Sequence, residues 1–155
     1  MRRGLLAALI VLSAGCAGGG PLELVSADPP AGAEAAGKRA EAQGRTDPDS
    51  GERIFKLRPR EGDRLAYTVN VVTAGTYAID VRSASSGGGG TVHFTLDGAN
   101  ITGAIALPDT GGWNTWTTTT KAGVTLPAGV HVLRLVVDAN GPGGTASDIN
   151  WFAIR

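Results

Sequence analysis

Leu65-Ala66-Tyr67-Thr68-Val69-Asn70-Val71 puts an apolar side chain at every second position and small or polar ones between. A period of 2 describes a strand with one face in a core and one toward water. The same pattern continues on both sides of an Ala74-Gly75 turn, with Tyr77, Ile79 and Val81 alternating with Ala78, Asp80 and Arg82. Val92, Phe94 and Leu96 repeat it, and Asp97-Gly98 is a strong signal for a two-residue hairpin turn. Residues 101–107 are expected to return as a strand. Leu133, Leu135 and Val137 form a further inward face, and residues 148–154 a closing strand. Toward the N-terminus, Arg53 to Leu57 reads as a short strand. Leu22 to Val25 and Lys38 to Gln43 are weaker candidates, and 45–52 reads as turn chemistry around Asp47-Pro48-Asp49-Ser50-Gly51. No window outside the first residues has helical periodicity. Strands about ten residues apart with Gly and Pro turns predict an all-β sandwich.

Composition limits the function. The chain has 155 residues, about one domain. Fourteen basic residues balance fourteen acidic ones, so no basic surface offers itself to nucleic acid. The single cysteine, Cys16, excludes an internal disulfide framework and any multi-cysteine metal site.

Cys16 follows a charged start, Met1-Arg2-Arg3, and an apolar run over 4–15 that is too short to span a bilayer. Leu12-Ser13-Ala14-Gly15-Cys16 resembles the lipobox of bacterial lipoproteins, with Ser13 where that pattern most often has Leu. The expectation is a signal peptide over 1–15, lipidation of Cys16 and export to a membrane or cell surface. An ordinary secretory signal with an incidental cysteine is the alternative. Residues 16–33, rich in Ala, Gly and Pro, read as a flexible tether, leaving 34–155 as the folded module.

One loop concentrates the aromatic surface. Thr110-Gly111-Gly112-Trp113-Asn114-Thr115-Trp116 holds two of only three tryptophans. If 115–120 is a strand, the odd spacing sends Trp113 and Trp116 to opposite faces. One then fills the core while the other is held out, and a rigid indole beside polar groups suits the C–H face of a sugar ring. Both tryptophans in the core is the competing reading. Alternation assigns Trp116 and Trp151 mainly to the core. His93 and His131 lack the neighbours of a triad or metal site. Gly87 to Gly90 lacks the Lys-Ser/Thr of a phosphate loop and reads as a flexible loop. Asp109, Asp138 and Asp148 lie near loops, where two facing carboxylates would be needed for glycoside hydrolysis.

Residues 62–154 resemble family 6 carbohydrate-binding modules and the related family 35. The matching pieces are Gly62-Asp63-Arg64-Leu65-Ala66-Tyr67, Ala74-Gly75-Thr76-Tyr77 with Val81-Arg82, Leu96-Asp97-Gly98, Thr110 to Trp116, Leu126 to Leu135, and Asp148-Ile149-Asn150-Trp151-Phe152. They occur in the family's order. The resemblance implies a jelly-roll, galactose-binding-like β-sandwich that binds polysaccharide or oligosaccharide without catalysis, as a monomer. It implies Trp113 as the stacking platform, with Asn114 beside it. Asp148 stands where the family has an Asn that hydrogen-bonds sugar hydroxyls; an ionised Asp only accepts. The second aromatic wall is absent from its usual place, where Phe55 or Arg58 stands in. A structural calcium is implied near Ala33-Glu34 or Ala40-Glu41, giving Glu34 or Glu41 as a ligand. A structural or protein-interaction sandwich that has lost sugar binding is the alternative function.

Overall fold

The computed structural model describes the backbone of residues 22–26, 42–46 and 53–57, and residues 61–155 in full. Among them are eleven strands and no helix: β1 (Leu22–Ser26), β2 (Ala42–Thr46), β3 (Arg53–Leu57), β4 (Arg64–Val71), β5 (Gly75–Ala84), β6 (Thr91–Leu96), β7 (Ala99–Asn100), β8 (Ile105–Ala106), β9 (Thr117–Leu126), β10 (Gly129–Ala139) and β11 (Asp148–Ile154). One sheet runs β1-β4-β10-β6-β7, with β8 also on β6; the other runs β2-β3-β11-β5-β9. All of these pairings are antiparallel.

The alternating residues meet between the sheets. Tyr67, Val69, Val71, Val92, Phe94, Leu133 and Leu135 come from the first sheet and Ile79, Val81, Val124, Leu126, Phe152 and Ile154 from the second, all buried in one cluster. Each such large side chain contributes roughly 1.5–3 kcal/mol of burial. Phe152 of the second sheet stands edge-on to Tyr67 and Phe94 of the first, with ring centroids 5.3 and 5.1 Å apart. That aromatic trio ties the layers together. Burial pushes the Tyr67 phenol above its ordinary value and keeps it neutral.

The Asp97-Gly98 turn forms as the sequence indicates. Both residues take positive φ, 51° and 90°, in the two-residue loop joining β6 to β7, which matches the twist of a hairpin. Asp97 tolerates that conformation because the Val132 N–H donates to its Oδ1 at 2.8 Å and His131 Nδ1 lies 2.7 Å from its Oδ2.

Some boundaries differ from expectation. The return over 101–107 is two short strands. Asn100 Oδ1 accepts the N–H groups of Thr102 and Gly103, and Thr102 Oγ1 accepts that of Phe94. Side chains thus replace the ladder there. β2 lies at 42–46, so Arg45 and Thr46 join a strand rather than a turn. The strand candidate at Leu22 to Val25 is β1, with Leu22 opposite Val71, and it falls within the stretch 16–33 read as a tether.

Two carboxylates make the fold acid-sensitive. Arg155 Nε and the Thr120 hydroxyl, each at 2.6 Å, hold Asp80 below the ordinary 3.8 of aspartate. For Asp97, desolvation acts upward, but the Val132 and His131 bonds outweigh it and the result is again below 3.8. A folded-state value below the unfolded one means stability that is present above about pH 4 and lost as pH falls through the folded value. Thermal melts followed by far-UV circular dichroism should therefore hold steady from neutral pH to about 4.5 and fall below about 4. A melting temperature unchanged down to pH 2 would contradict these assignments.

Candidate functional site

Three loops meet at one end of the sandwich. β5 ends at Ala84 opposite Asp148, where β11 begins, and Ser83 lies opposite Thr117, where β9 begins. β10 ends at Ala139 opposite Thr91, the start of β6. The segments 85–90, 107–116 and 140–147 connect these ends.

Their backbones are laced together. Ser85 N–H donates to Thr110 Oγ1 at 2.9 Å, Gly112 N–H to the Ser85 carbonyl at 3.0 Å, and Ser85 Oγ to the Pro108 carbonyl at 2.9 Å. Asp109 Oδ1 accepts from Gly111 N–H at 2.9 Å and Gly87 N–H at 3.1 Å. The bond to its own residue i+2 is an Asx turn. The Gly111 N–H, more than the weaker opposing desolvation, holds the Asp109 carboxylate below 3.8. Asp109 is therefore an ionised loop fastener. Gly111 has φ +78°, which favours the residue without a Cβ. Gly90 donates to the Ala146 carbonyl and accepts from Leu107 N–H at 2.9 Å.

The segment Gly87–Gly90, expected to be merely flexible, is thus anchored: Gly89 and Gly90 serve close backbone approach, and Gly87 and Gly88 take positive φ. An alanine Cβ at Gly89 would lie 2.2 Å from the Leu107 carbonyl oxygen. Nothing local in a run of glycines distinguishes that use from flexibility.

Trp113 and Asn114 occupy the centre of a turn closed by Thr115 N–H on the Gly112 carbonyl at 3.1 Å. Trp113 is half-buried and Asn114 exposed. The strand begins at Thr117, so the parity argument that sent the two tryptophans to opposite faces does not apply.

Asp148, the expected anchor for sugar hydroxyls, is fully buried. Gly89 and Gly90 press against Ser147 and Ala146 just ahead of it, and its carboxylate presents no surface to a ligand. Asp138 Oδ1 lies 2.6 Å from His93 Nδ1. The three loop carboxylates are thus committed to backbone, to a histidine or to the interior.

Phe55 is placed by its backbone in β3, opposite Gly44, and β3 ends at Leu57 opposite Ile149, at this same end. Arg58, Glu34, Glu41 and Cys16 lie outside the described residues. Among the described residues, no three His, Cys, Asp or Glu converge to hold a metal ion.

Trp116 and Trp151, assigned to the core by alternation, are both half-buried and absent from it. For Trp116 the strand it was counted on begins only at Thr117, and for Trp151 a bulge between Ile149 and Trp151 is the reason. It lets Ile149 and Phe152 both reach the core and turns Trp151 to the opposite face, as bulges re-aim side chains.

Residues 33–155 match the carbohydrate binding module family 6. The chain belongs to this family. The module is similar to that of Cellvibrio mixtus lichenase 5A, solved in complex with cellotriose, at 35% identity and a TM-score of 0.62, covering 75% of this chain and 86% of that one. It is also similar to a β-1,3-glucan binding module of Bacillus halodurans, at 28% identity and a TM-score of 0.65, covering 87% and 96%. An isomaltosyltransferase of Sporosarcina globispora is 36% identical over 77 residues, 50% of this chain and 7% of that protein. The chain thus spans less than a tenth of that relative's length. Carbohydrate binding by a jelly-roll sandwich is the function that this family membership carries.

Proposed function

We propose that the module binds a β-linked glucan at the loop end, stacking a sugar ring on Trp113 with Asn114 beside it and Phe55 or Arg58 as a further contact. The observation that supports this is Trp113 at the tip of a turn, half-exposed, on loops fastened by Asp109, Thr110 and Ser85. A platform fixed before binding loses little entropy on binding. Two relatives are named for cellotriose and β-1,3-glucan, which makes β-glucans the first ligands to try. The module does no chemistry of its own and works as a monomer. Export with a lipid on Cys16 belongs to the same reading, and tethering raises effective concentration at a surface.

Retention on insoluble β-1,3- and β-1,4-glucans in affinity electrophoresis tests the reading. Repeating it after chelation, with melting temperature followed, tests the calcium: a fall on chelation supports a structural ion, and loss of that fall in Glu34→Gln or Glu41→Gln assigns the ligand. The burial of Asp148 favours the alternative, a sandwich that keeps the fold without binding sugar. A folded protein retained by no glycan would decide for that. Cys16→Ser is expected to move the protein from the detergent phase to the aqueous phase in Triton X-114 partition.

Thr110→Ala removes the oxygen that accepts the Ser85 N–H and leaves that part-buried donor unpaired. It is expected to cost about 1–3 kcal/mol of stability and to weaken glucan retention. Chemical denaturation measures the first effect and affinity electrophoresis the second. Unchanged stability and retention would show that the loop is held by other contacts.

A further inference from the structure

The pole of the sandwich opposite the Trp113 loop is built from two crossovers between the sheets. β4 ends at Val71 opposite Gly129, where β10 begins, and β5 begins at Gly75 opposite Leu126, where β9 ends. The connections 72–74 and 127–128 therefore lie side by side. The stretches 71–79 and 122–130 contain no charged residue. Val72 and Val130 are the exposed large hydrophobics of the described residues, with 50% and 64% of their surface open. Thr73, Ala74, Pro127 and Ala128 beside them are exposed too. The Tyr77 hydroxyl donates to the Thr73 carbonyl and fixes the first crossover. The neighbouring charges stand back from this tip: Asp97 is bonded to His131, Arg155 to Asp80, Glu23 lies opposite Asn70 and Lys121 opposite Ile79.

β1 brings the N-terminal chain to the same pole, because Leu22 lies opposite Val71. Leu22 stands six positions after Cys16, a reach of at most ~20 Å even when fully extended. The eleven residues of β10 put the Trp113 loop a further ~30 Å away, at the other pole.

We propose that this pole is a membrane-docking surface, on which Val72, Val130 and the uncharged crossovers rest in the headgroup region of the bilayer that holds the lipid on Cys16. The inference rests on the reading of Cys16 as lipidated. The tip enters the interface without stripping water from a charge, which is the costly step for a protein surface meeting lipid. Its depth is shallow, because the backbone groups of the turns keep partners only at headgroup level. Two valines hold a bilayer weakly by themselves, but the anchor keeps them at high effective concentration. The contact therefore sets orientation: the Trp113 loop faces away from the membrane, toward a glycan outside. A second copy of the chain is a poor occupant, since six small residues fall far short of the roughly 20–30 a side of a stable interface.

The test uses the full chain, purified from bacterial membranes and reconstituted into vesicles of phosphatidylethanolamine and phosphatidylglycerol. Flotation of the wild type with the vesicles, lost in Cys16→Ser, reports the anchor. Cys16 is the single cysteine and carries the lipid, so an introduced thiol takes a polarity-sensitive fluorophore alone. Ala128→Cys places it on the proposed dock and Thr118→Cys at the sugar end, both on exposed positions. On vesicles, the label at 128 should shift to the blue and be quenched by aqueous iodide severalfold less than the label at 118. Val72→Asp with Val130→Asp, added to Ala128→Cys, should abolish that protection. Both valines are exposed, so the melting temperature should hold. Equal quenching at 128 and 118 in floated protein, or protection that survives the two aspartates, would overturn the dock and leave the lipid anchor standing. Failure of the wild type to float would overturn both.

Discussion

Phe152→Ala is expected to cost about 3–5 kcal/mol, the range for emptying a buried aromatic site. Phe152 is fully buried and packs edge-on against Tyr67 and Phe94 of the facing sheet. Its removal loses the transfer energy of the ring and both aromatic contacts, worth about 0.5–1.5 kcal/mol each beyond area. The cavity would open where the two layers meet, and sheets cannot close up without moving whole strands. At about 3–4 °C per kcal/mol for a domain of this size, the melting temperature should fall by roughly 10 °C or more. Phe152→Leu, which keeps most of the volume, should lose about half as much. Thermal and urea melts of the two variants measure both effects. A loss below about 1 kcal/mol for alanine would mean that the layers are held by something other than this trio.

Gly90→Ala carries the second large effect. A Cβ there would lie 2.0 Å from the Ala139 carbonyl oxygen and 2.9 Å from Ala146 Cα, both backbone atoms. No side chain can swing aside, so β10 or the 140–147 loop must move. That displacement disturbs the Gly90 bonds to Ala146 and Leu107 and, through them, the seat of the Trp loop. The expected cost is about 2–3 kcal/mol, the upper part of the range for overpacking, with glucan binding weakened in proportion. Gly111→Ala is the informative contrast. It meets no atom within 4 Å but sits at φ +78°, so its cost is the left-handed penalty of about 1–2 kcal/mol. If the glycine run were only a flexible linker, Gly90→Ala would be neutral or slightly stabilising through the unfolded chain. Urea denaturation of the pair separates the two accounts.

Much of the sandwich was legible in its local patterns. Period-2 alternation in β4, β6 and β10 identified the inward faces, because a half-buried strand has no other way to arrange its side chains. Asp97-Gly98 announced its turn because that turn needs two positive φ values. What escaped depends on contacts between distant segments. The bulge beside Asn150 changes which of Trp151 and Phe152 enters the core, and only pairing with β5 reveals it. Asp148 looked like a ligand contact, yet it is buried below a loop whose glycines pack on the residues ahead of it. The turn at Trp113 was placed correctly in the chain, but its neighbours begin a strand two residues later than their β-branched character suggests. The fastening roles of Thr110, Asp109 and Ser85 were not legible, because the bonds that join their loops connect residues more than twenty positions apart.

The central claim is that Trp113 receives the sugar. Its most direct test is titration of intrinsic tryptophan fluorescence with cellohexaose and laminarihexaose, comparing the wild type with Trp113→Ala. The account predicts a saturable change in the wild type for at least one glucan. In Trp113→Ala the affinity should drop by about 30-fold or more, the ~2 kcal/mol typical of a Trp anchor. Its melting temperature should be nearly retained, because Trp113 lies outside the core cluster. An undiminished saturable change in the folded Trp113→Ala variant would contradict the account and move the binding surface elsewhere on the module.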